Sequence, residues 1–235
     1  MNRPAPTARP VNPLLEITVT LLIPAVILMK LSGPEDLGAV NALLLALAFP
    51  FAWGVHALLR ERKLNLLAVL GVVSVLLTGG IGLLELDAKW LAIKEAAVPG
   101  VIGLVVLASV RTRYPLVRTL LYNRTVLDVA RVQAALDARG TAGAFENRLR
   151  KSTLMLAGTF FFSSAMNYFL ATWVVVSPPG SPAFNEELGR LTLISYPMIA
   201  LPSMLMLLLI LYYLVRTIRT LAGLDVTDVL NTRKA

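Results

Sequence analysis

The chain has 235 residues, of which 57% are hydrophobic and only 15% charged, and its mean hydropathy is +0.72. A soluble domain is about a quarter charged, so this composition indicates that lipid is the main solvent. The chain has no cysteine and a single histidine, His56, which excludes disulfides, thiolate metal sites, cysteine nucleophiles and multi-histidine sites. The net charge of +8 would suit a nucleic-acid partner, but whether it indicates one depends on where the basic residues lie.

Six apolar segments reach the length of about 20 residues that a helix needs to cross a bilayer. Because hydrocarbon offers the backbone no hydrogen-bond partners, such segments are expected to be helices, and their continuous apolar runs lack the alternation of β-barrel strands. The sequence therefore predicts an all-α, polytopic membrane protein with six transmembrane helices in three hairpins. The predicted spans are residues 13–32, 38–59, 65–86, 89–110, 153–176 and 191–214, with outer turns at 33–37, 87–88 and 177–190.

The basic residues follow this division. Of the 22 Lys and Arg residues, 18 fall before the first span, between spans two and three, between spans four and five, or after span six. By the positive-inside rule these segments and both termini are cytoplasmic. The basic charge is thus explained by topology, and no nucleic-acid partner is expected. The first span is too long for a signal peptide and is predicted to be an uncleaved helix.

Three parts of the chain are predicted: a four-helix membrane half at 1–110, a cytoplasmic basic segment at 111–152, and a membrane hairpin with a basic cytoplasmic tail at 153–235. In the basic segment, Thr125 and Asp128 are typical of a helix start, and Arg139-Gly140 of a helix stop. Its predicted apolar face comprises Val126, Val129, Ala130 and Leu136.

Two interpretations of this segment remain open. An apolar face opposite arginines suits a helix lying on anionic lipids of the inner leaflet, but a helix packed under the membrane bundle would show the same pattern. The tail at 217–235 allows the same two interpretations through its apolar positions Ile218, Leu221, Leu224, Val226 and Leu230.

Ionisable residues inside spans are functional candidates because burying them is costly. Glu16, Lys30 and His56 lie near the ends of their spans, and none lies at the bilayer centre, which disfavours a proton-driven carrier. Lys94 lies about 7 Å inside the outer end of span four, within snorkelling reach of the interface.

Lys94 is predicted to belong to a network that holds the third and fourth spans together. Its expected partners are Glu85, Asp87 and Glu95, and Trp90 lies one turn earlier, where it can cover the ammonium stem. A site for a lipid head group or a solute, and ordinary interface charges, are the alternatives.

Milder polar features lie at mid-depth. The expected helix irregularities are Pro24, Pro50, Pro99 and Pro202, and the polar side chains are Ser163, Ser164, Asn167 and Ser203. Broken helices mark transport paths in many carriers, but serine and asparagine also join neighbouring helices, and this second interpretation is favoured. The glycines of span three, Gly71, Gly79, Gly80 and Gly82, are expected to permit close packing.

An enzyme is not expected. The sequence has no HExxH, GxSxG or GxxxxGK motif, and the close carboxylates Glu85 and Asp87 flank a turn, where paired acids are usually solvated. No cofactor and no metal are predicted.

The stretch GGIGLLELDAKWLAIK places Gly79-Gly80, Asp87 and Lys94 at the ends of two helices joined by a tight turn. This resembles the Gly-Gly…Asp…Lys hairpin of the intracellular septation protein A family of bacterial inner-membrane proteins. The resemblance covers residues 40–110; the 111–152 insert and Glu95-Ala96-Ala97 depart from it, as a sister group would.

The resemblance implies a location in the inner membrane and a role in envelope maintenance or division through partner proteins. The leading expectation is such a non-catalytic protein, with membrane lipids, anionic head groups included, and protein partners or further copies of itself as partners. A small transporter or channel is the alternative.

Overall fold

The computed structural model describes residues 13–61, 66–112, 116–117 and 128–225. Every regular element within these ranges is helical, which confirms the all-α prediction. Two π-helical turns, Thr18–Leu22 and Tyr196–Ala200, lie between α-helices. The α-helices are α1 (Pro13–Ile17), α2 (Ile23–Lys30), α3 (Gly38–Glu61), α4 (Leu66–Leu83), α5 (Lys89–Ser109), α6 (Val129–Ala138), α7 (Ala142–Val174), α8 (Pro182–Ser195) and α9 (Leu201–Ala222).

Four helical stretches are long and apolar enough to cross a membrane: Gly38–Ala57, Lys89–Ser109, Ala142–Val174 and Pro182–Ala222. At most 28% of the residues in the most apolar part of each stretch are buried, so many large apolar side chains point away from the protein. A soluble fold rarely leaves such continuous apolar surface exposed. The fold therefore supports a multi-pass membrane protein.

The predicted outer turn at 177–190 is wrong, because α8 begins at Pro182. Ser181 starts this helix: its hydroxyl accepts a hydrogen bond from the Phe184 N–H at 3.1 Å, and Pro182 occupies the first helical position. α7, which contains most of the predicted span 153–176, begins earlier, at Ala142. A criterion of apolar length misses the polar first turns of both helices.

Two of the four predicted proline irregularities are visible as changes of helix type. Each π-helical turn ends two residues before a proline, Pro24 in one case and Pro202 in the other. In the first, the Ile23 N–H donates to the Thr18 carbonyl, five residues back. A proline lacks the N–H and its ring crowds the carbonyl four residues earlier, so a wider turn relieves the crowding. Pro50 and Pro99 lie inside α3 and α5.

The chain divides into two compact units, Met1–Lys94 with Phe169–Tyr196, and Glu95–Tyr168 with Pro197–Ala235. In the first unit, α2 packs against α3 and α8, and α3 packs against α4. Glycines permit two of these contacts. A Cβ added at Gly189 would lie 2.8 Å from the Ala25 carbonyl oxygen, and one at Gly82 would lie 2.5 Å from Leu43 Cδ2.

The second unit has a hydrophobic core to which α6 contributes two buried side chains. Val132 and Leu136 of α6 are buried in it, while Ala130, expected on the apolar face, is exposed. The residues of this core are Val106, Val117, Val132, Leu136, Phe145, Leu149, Leu156, Ala157, Ile210, Leu214, Ile218 and Ala222. The structure thus favours the packed helix over a helix lying on the leaflet.

The ends of α6 follow the predicted signals in part. Asp128 caps the helix by accepting a hydrogen bond from the Arg131 N–H at 3.1 Å, and Gly140, at φ +64°, ends it as expected. Thr125 and Val126 lie outside the described residues.

The beginning of the predicted tail is also part of this unit, because α9 continues to Ala222. The Thr141 hydroxyl donates to the Leu221 carbonyl at 2.9 Å, and the Arg139 guanidinium lies against Gly223, where any side chain would overlap it. A cation at this end of a helix is favourable to the helix dipole. Val226 and Leu230 lie outside the described part of the chain.

Candidate functional site

Lys94 lies in the hairpin formed by α4 and α5, and hydroxyl groups of α4 surround its ammonium. Lys94 Nζ donates to Thr78 Oγ1 at 2.7 Å and to Ser74 Oγ at 3.3 Å. The Thr78 hydroxyl in turn donates to the Ser74 carbonyl at 3.0 Å, so its lone pairs are turned toward the ammonium. These three residues, the Lys94 cluster, join two helices through a half-buried charge.

Asp87, one of the partners expected for Lys94, forms its hydrogen bond and its ion pair with Lys89. One Asp87 oxygen accepts the Lys89 N–H at 2.8 Å, and the other lies 3.2 Å from the Lys89 ammonium. These bonds to Lys89 hold the pKa of the exposed Asp87 carboxyl below its usual value. Asp87 thus caps the start of α5, whereas Lys94 lies farther along the helix and faces α4. Trp90 is half exposed, and Glu95 is half-buried.

Glu85, another expected partner of Lys94, belongs to the turn after α4. Its φ of +51° lies in the left-handed region, which costs a non-glycine residue roughly 1 kcal/mol or more. Its carboxylate lies against Gly180, where a Cβ would be 2.9 Å from Glu85 Oε1. Gly180 also has a positive φ, +83°, so only glycine fits this contact well. Glu85 therefore connects its turn to the segment that precedes α8.

Two further residues of this region were missed by the sequence analysis. Glu187 accepts hydrogen bonds from the N–H groups of Val176 and Ser177 at 2.9 and 2.8 Å and from the Ser177 hydroxyl at 2.7 Å. It satisfies the backbone of a segment between helices, as buried or half-buried loops require.

Asn185 is the second, with a side chain that is only 1% exposed. Its Nδ2 donates to Ser32 Oγ at 3.1 Å and to the Ala39 carbonyl at 2.7 Å, and its Oδ1 has no partner in the described structure. Asn185 links α8 to the end of α2 and the start of α3. Both residues were missed because residues 177–190 were assigned to a turn; the Ser181-Pro182 pair was the signal for a helix start.

The mid-depth polar residues of α7 are bonded within the second unit. The Ser164 hydroxyl donates to the Ala96 carbonyl of α5 at 2.8 Å, and Gly100 leaves room for it, since a Cβ there would lie 3.0 Å from Ser164 Oγ. Asn167 Nδ2 donates to the Ser163 carbonyl at 2.8 Å, within its own helix. Ser164 is thus a helix-joining residue, as favoured from the sequence.

Ser203 differs from these residues. Its hydroxyl oxygen is buried and has no hydrogen-bond partner among the described residues. It follows Pro202 directly, next to the second π-helical turn. A buried hydroxyl without a hydrogen-bond partner is uncommon in folded proteins.

Two grooves border α3 in the first unit, and both are apolar. One, of about 510 Å³, is lined by Val19, Leu45, Ala48, Phe49, Ala52, Trp53 and His56. The other, of about 260 Å³, runs along Gly79 and Gly80. Gly79 permits close packing, since its Cβ would lie 2.9 Å from Leu47 Cδ1, but Gly80 has open space beside it. Such linings suit hydrocarbon rather than a polar solute.

The described polar residues of this region form hydrogen bonds that join neighbouring helices and cap their ends. Within the described ranges, no three histidine or acidic side chains converge as metal ligands. Comparison of the chain with protein-family models, with curated proteins and with solved structures finds no match.

The Lys94 cluster predicts a measurable coupling between Thr78 and Lys94. A hydrogen bond to a charged group contributes about 1.5–3 kcal/mol, so a double-mutant cycle of Thr78→Val and Lys94→Met should give a coupling of this size in the free energy of unfolding. The measurement is reversible unfolding of the purified protein in mixed micelles.

Thr159→Val is the matched control, because the exposed Thr159 hydroxyl bonds only to the Met155 carbonyl of its own helix. A cycle of Thr159→Val with Lys94→Met should show no coupling. Coupling near zero for Thr78 would show that the ammonium is solvated without the hydroxyl.

Proposed function

We propose that the chain is a six-span protein of the bacterial inner membrane with both termini in the cytoplasm. It acts without catalysis in cell-envelope maintenance or division, through lipids and protein partners. The six spans are the four long helices together with α1–α2 and α4, arranged as three hairpins. The charge distribution supports the orientation, since 18 of 22 basic residues fall in the segments assigned to the cytoplasm.

The observation that carries this proposal is that the described polar groups of the α4–α5 hairpin cap a helix or join the two helices. Three of the four residues that resemble the septation family have a local structural role: Gly79 permits packing, Asp87 caps α5, and Lys94 donates hydrogen bonds to α4, whereas Gly80 has open space beside it. A hairpin built in this way is a rigid element that can be presented to partners. The two described grooves beside α3 are lined by apolar residues apart from His56.

A transporter is the second candidate, and the π-helical turn beside Ser203 favours it. Irregular helices near the middle of a membrane expose backbone groups that substrates use. The first π-helical turn, before Pro24, offers a similar irregularity in the other unit. This candidate requires a polar solute to reach Ser203.

Deletion of the gene in the source bacterium tests the leading function. The deletion strain should form elongated or leaky cells, and a plasmid copy of the gene should restore them. Normal cell length and an intact envelope in the deletion strain, under growth and osmotic stress alike, would contradict an envelope role.

A liposome assay separates the two candidates. Purified protein in sealed vesicles with a proton or potassium gradient should dissipate the gradient no faster than empty vesicles do. A leak that rises with the amount of protein and disappears in Asn167→Leu or Ser203→Leu would establish the transport candidate instead.

A further inference from the structure

We propose that α7 and α9 form a binding site for the head group of an anionic phospholipid, built from Arg148, Lys151, Tyr213 and Arg216. The proposal rests on the proposed function in one respect: it takes the surrounding medium to be a bilayer. It goes further by assigning the head-group chemistry to particular side chains of the second unit.

The contact between Arg148 and Tyr213 brings the two helices together at this point. The guanidinium carbon of Arg148 lies 5.9 Å from the centre of the Tyr213 ring, a cation–π distance. This contact fixes the guanidinium at the boundary between α7 and α9, so its remaining N–H groups are held in place for an acceptor. A guanidinium can donate to phosphate oxygens in a bidentate manner.

The two helices extend this position into a continuous face. Lys151 follows Arg148 by three residues on α7, and Arg216 follows Tyr213 by three residues on α9. Residues three apart lie on the same side of a helix. The contact therefore aligns a face of α7 that carries two cations with a face of α9 that carries a third.

Among the described residues, no carboxylate forms an ion pair with any of these three cations. Lys151 and Arg216 are exposed, and Arg148 is half-buried. The nearest acidic residue in sequence, Glu146, precedes Arg148 by two positions and so lies on a different side of α7. An anion is needed to balance this face.

The same faces continue into exposed apolar surface, which favours a lipid over a free anion. Met155 lies one turn beyond Lys151 on α7 and is 42% exposed, and Leu209 lies one turn before Tyr213 on α9 and is 54% exposed. Both belong to stretches long enough to cross a membrane. A phospholipid whose phosphate contacts these cations would therefore have its acyl chains beside Met155 and Leu209.

The expected selectivity follows from the number of charges. Each base near an anionic head group strengthens binding about fivefold, so three bases give a factor on the order of a hundredfold. A zwitterionic lipid with the same chains gains little from them, because its head group carries no net charge.

The test uses the full chain in a nonionic detergent, titrated with dioleoyl phosphatidylglycerol or dioleoyl phosphatidylcholine, with bound lipid counted by native mass spectrometry. The wild type should bind phosphatidylglycerol at least about tenfold more tightly. Combining Arg148→Gln, Lys151→Gln and Arg216→Gln should weaken that binding on the order of a hundredfold and change phosphatidylcholine binding about twofold or less. Lys151→Gln alone, at an exposed position, should weaken it about fivefold.

The control combines Lys30→Gln, Lys89→Gln and Arg190→Gln, which remove three exposed cations from the other unit. If this control lost as much affinity for phosphatidylglycerol as the triple variant of the site, the binding would be explained by general attraction between charges. Equal binding of the two lipids by the wild type, or full competition by glycerol phosphate, would overturn a lipid site. Binding in detergent does not depend on orientation in cells, so a reversed topology with selective binding would contradict only the proposed function.

Discussion

Asn185→Asp should lower the free energy of unfolding by about 3–5 kcal/mol at neutral pH. The change keeps the size of the side chain but replaces its only donor with an acceptor. The atom that faces the Ala39 carbonyl, at 2.7 Å, has to be the amide nitrogen, because a carbonyl only accepts. A carboxylate oxygen there would be repelled.

Neither neighbour of Asn185 can compensate. Ser32 already donates its hydroxyl proton to the Leu28 carbonyl at 2.8 Å, and the side chain at 185 is 1% exposed. A negative charge at position 185 would therefore be buried, with no cation among its described partners. Reversible unfolding in mixed micelles measures the loss, and a melting temperature lowered by about 10 °C or more is the corresponding result.

Asn147→Asp is the control for this substitution, since Asn147 is exposed on α7. It should change stability by less than about 0.5 kcal/mol. Similar stabilities of the Asn185→Asp and Asn147→Asp variants would mean that Asn185 does not link α8 to α2 and α3.

Gly189→Leu should destabilise the first unit by about 3 kcal/mol, and lower the melting temperature by about 5–10 °C. A Cβ at this position would lie 2.8 Å from the Ala25 carbonyl oxygen and 2.7 Å from Met29 Cγ. Met29 can move, but Ala25 presents backbone, so α2 and α8 would have to separate. The contact is of the small-residue type by which membrane helices pack closely.

Gly158→Leu on α7 is the matched control, because a Cβ there meets no atom within 4 Å. It should be neutral or slightly stabilising, since glycine costs a helix about 1 kcal/mol relative to alanine. If the two leucine variants melted together, close packing of α2 and α8 would not be needed for stability.

The four long apolar helices could be predicted from the sequence, because the length and apolarity of a segment indicate such a helix. It was less informative about where they begin. α8 starts with Ser181-Pro182, a strong local signal, yet this signal lies in a polar stretch that an apolar criterion assigns to a turn. For the same reason the hydrogen bonds of Asn185 were not predicted, since a residue in a turn is not expected to be buried between helices.

The hydroxyl partners of Lys94 were not accessible from the sequence for a different reason. Charge pairing suggested Asp87, but which side of α4 faces α5 depends on the rotation of both helices, and this brings the Thr78 hydroxyl to the ammonium. Asp87 instead satisfies the free N–H groups at the start of its own helix. The Asp87 carboxylate therefore bonds to the backbone at the start of its own helix.

The central claim is that the basic side of the chain faces the cytoplasm and the turn before α8 faces outward. The chain has no cysteine, so single cysteines can be placed at the exposed positions Ala183 and Ala144. A membrane-impermeant thiol reagent applied to intact cells should label Ala183→Cys and spare Ala144→Cys, and both should react after the membrane is permeabilised. Labelling of Ala144→Cys in intact cells, with Ala183→Cys protected, would contradict the proposed topology.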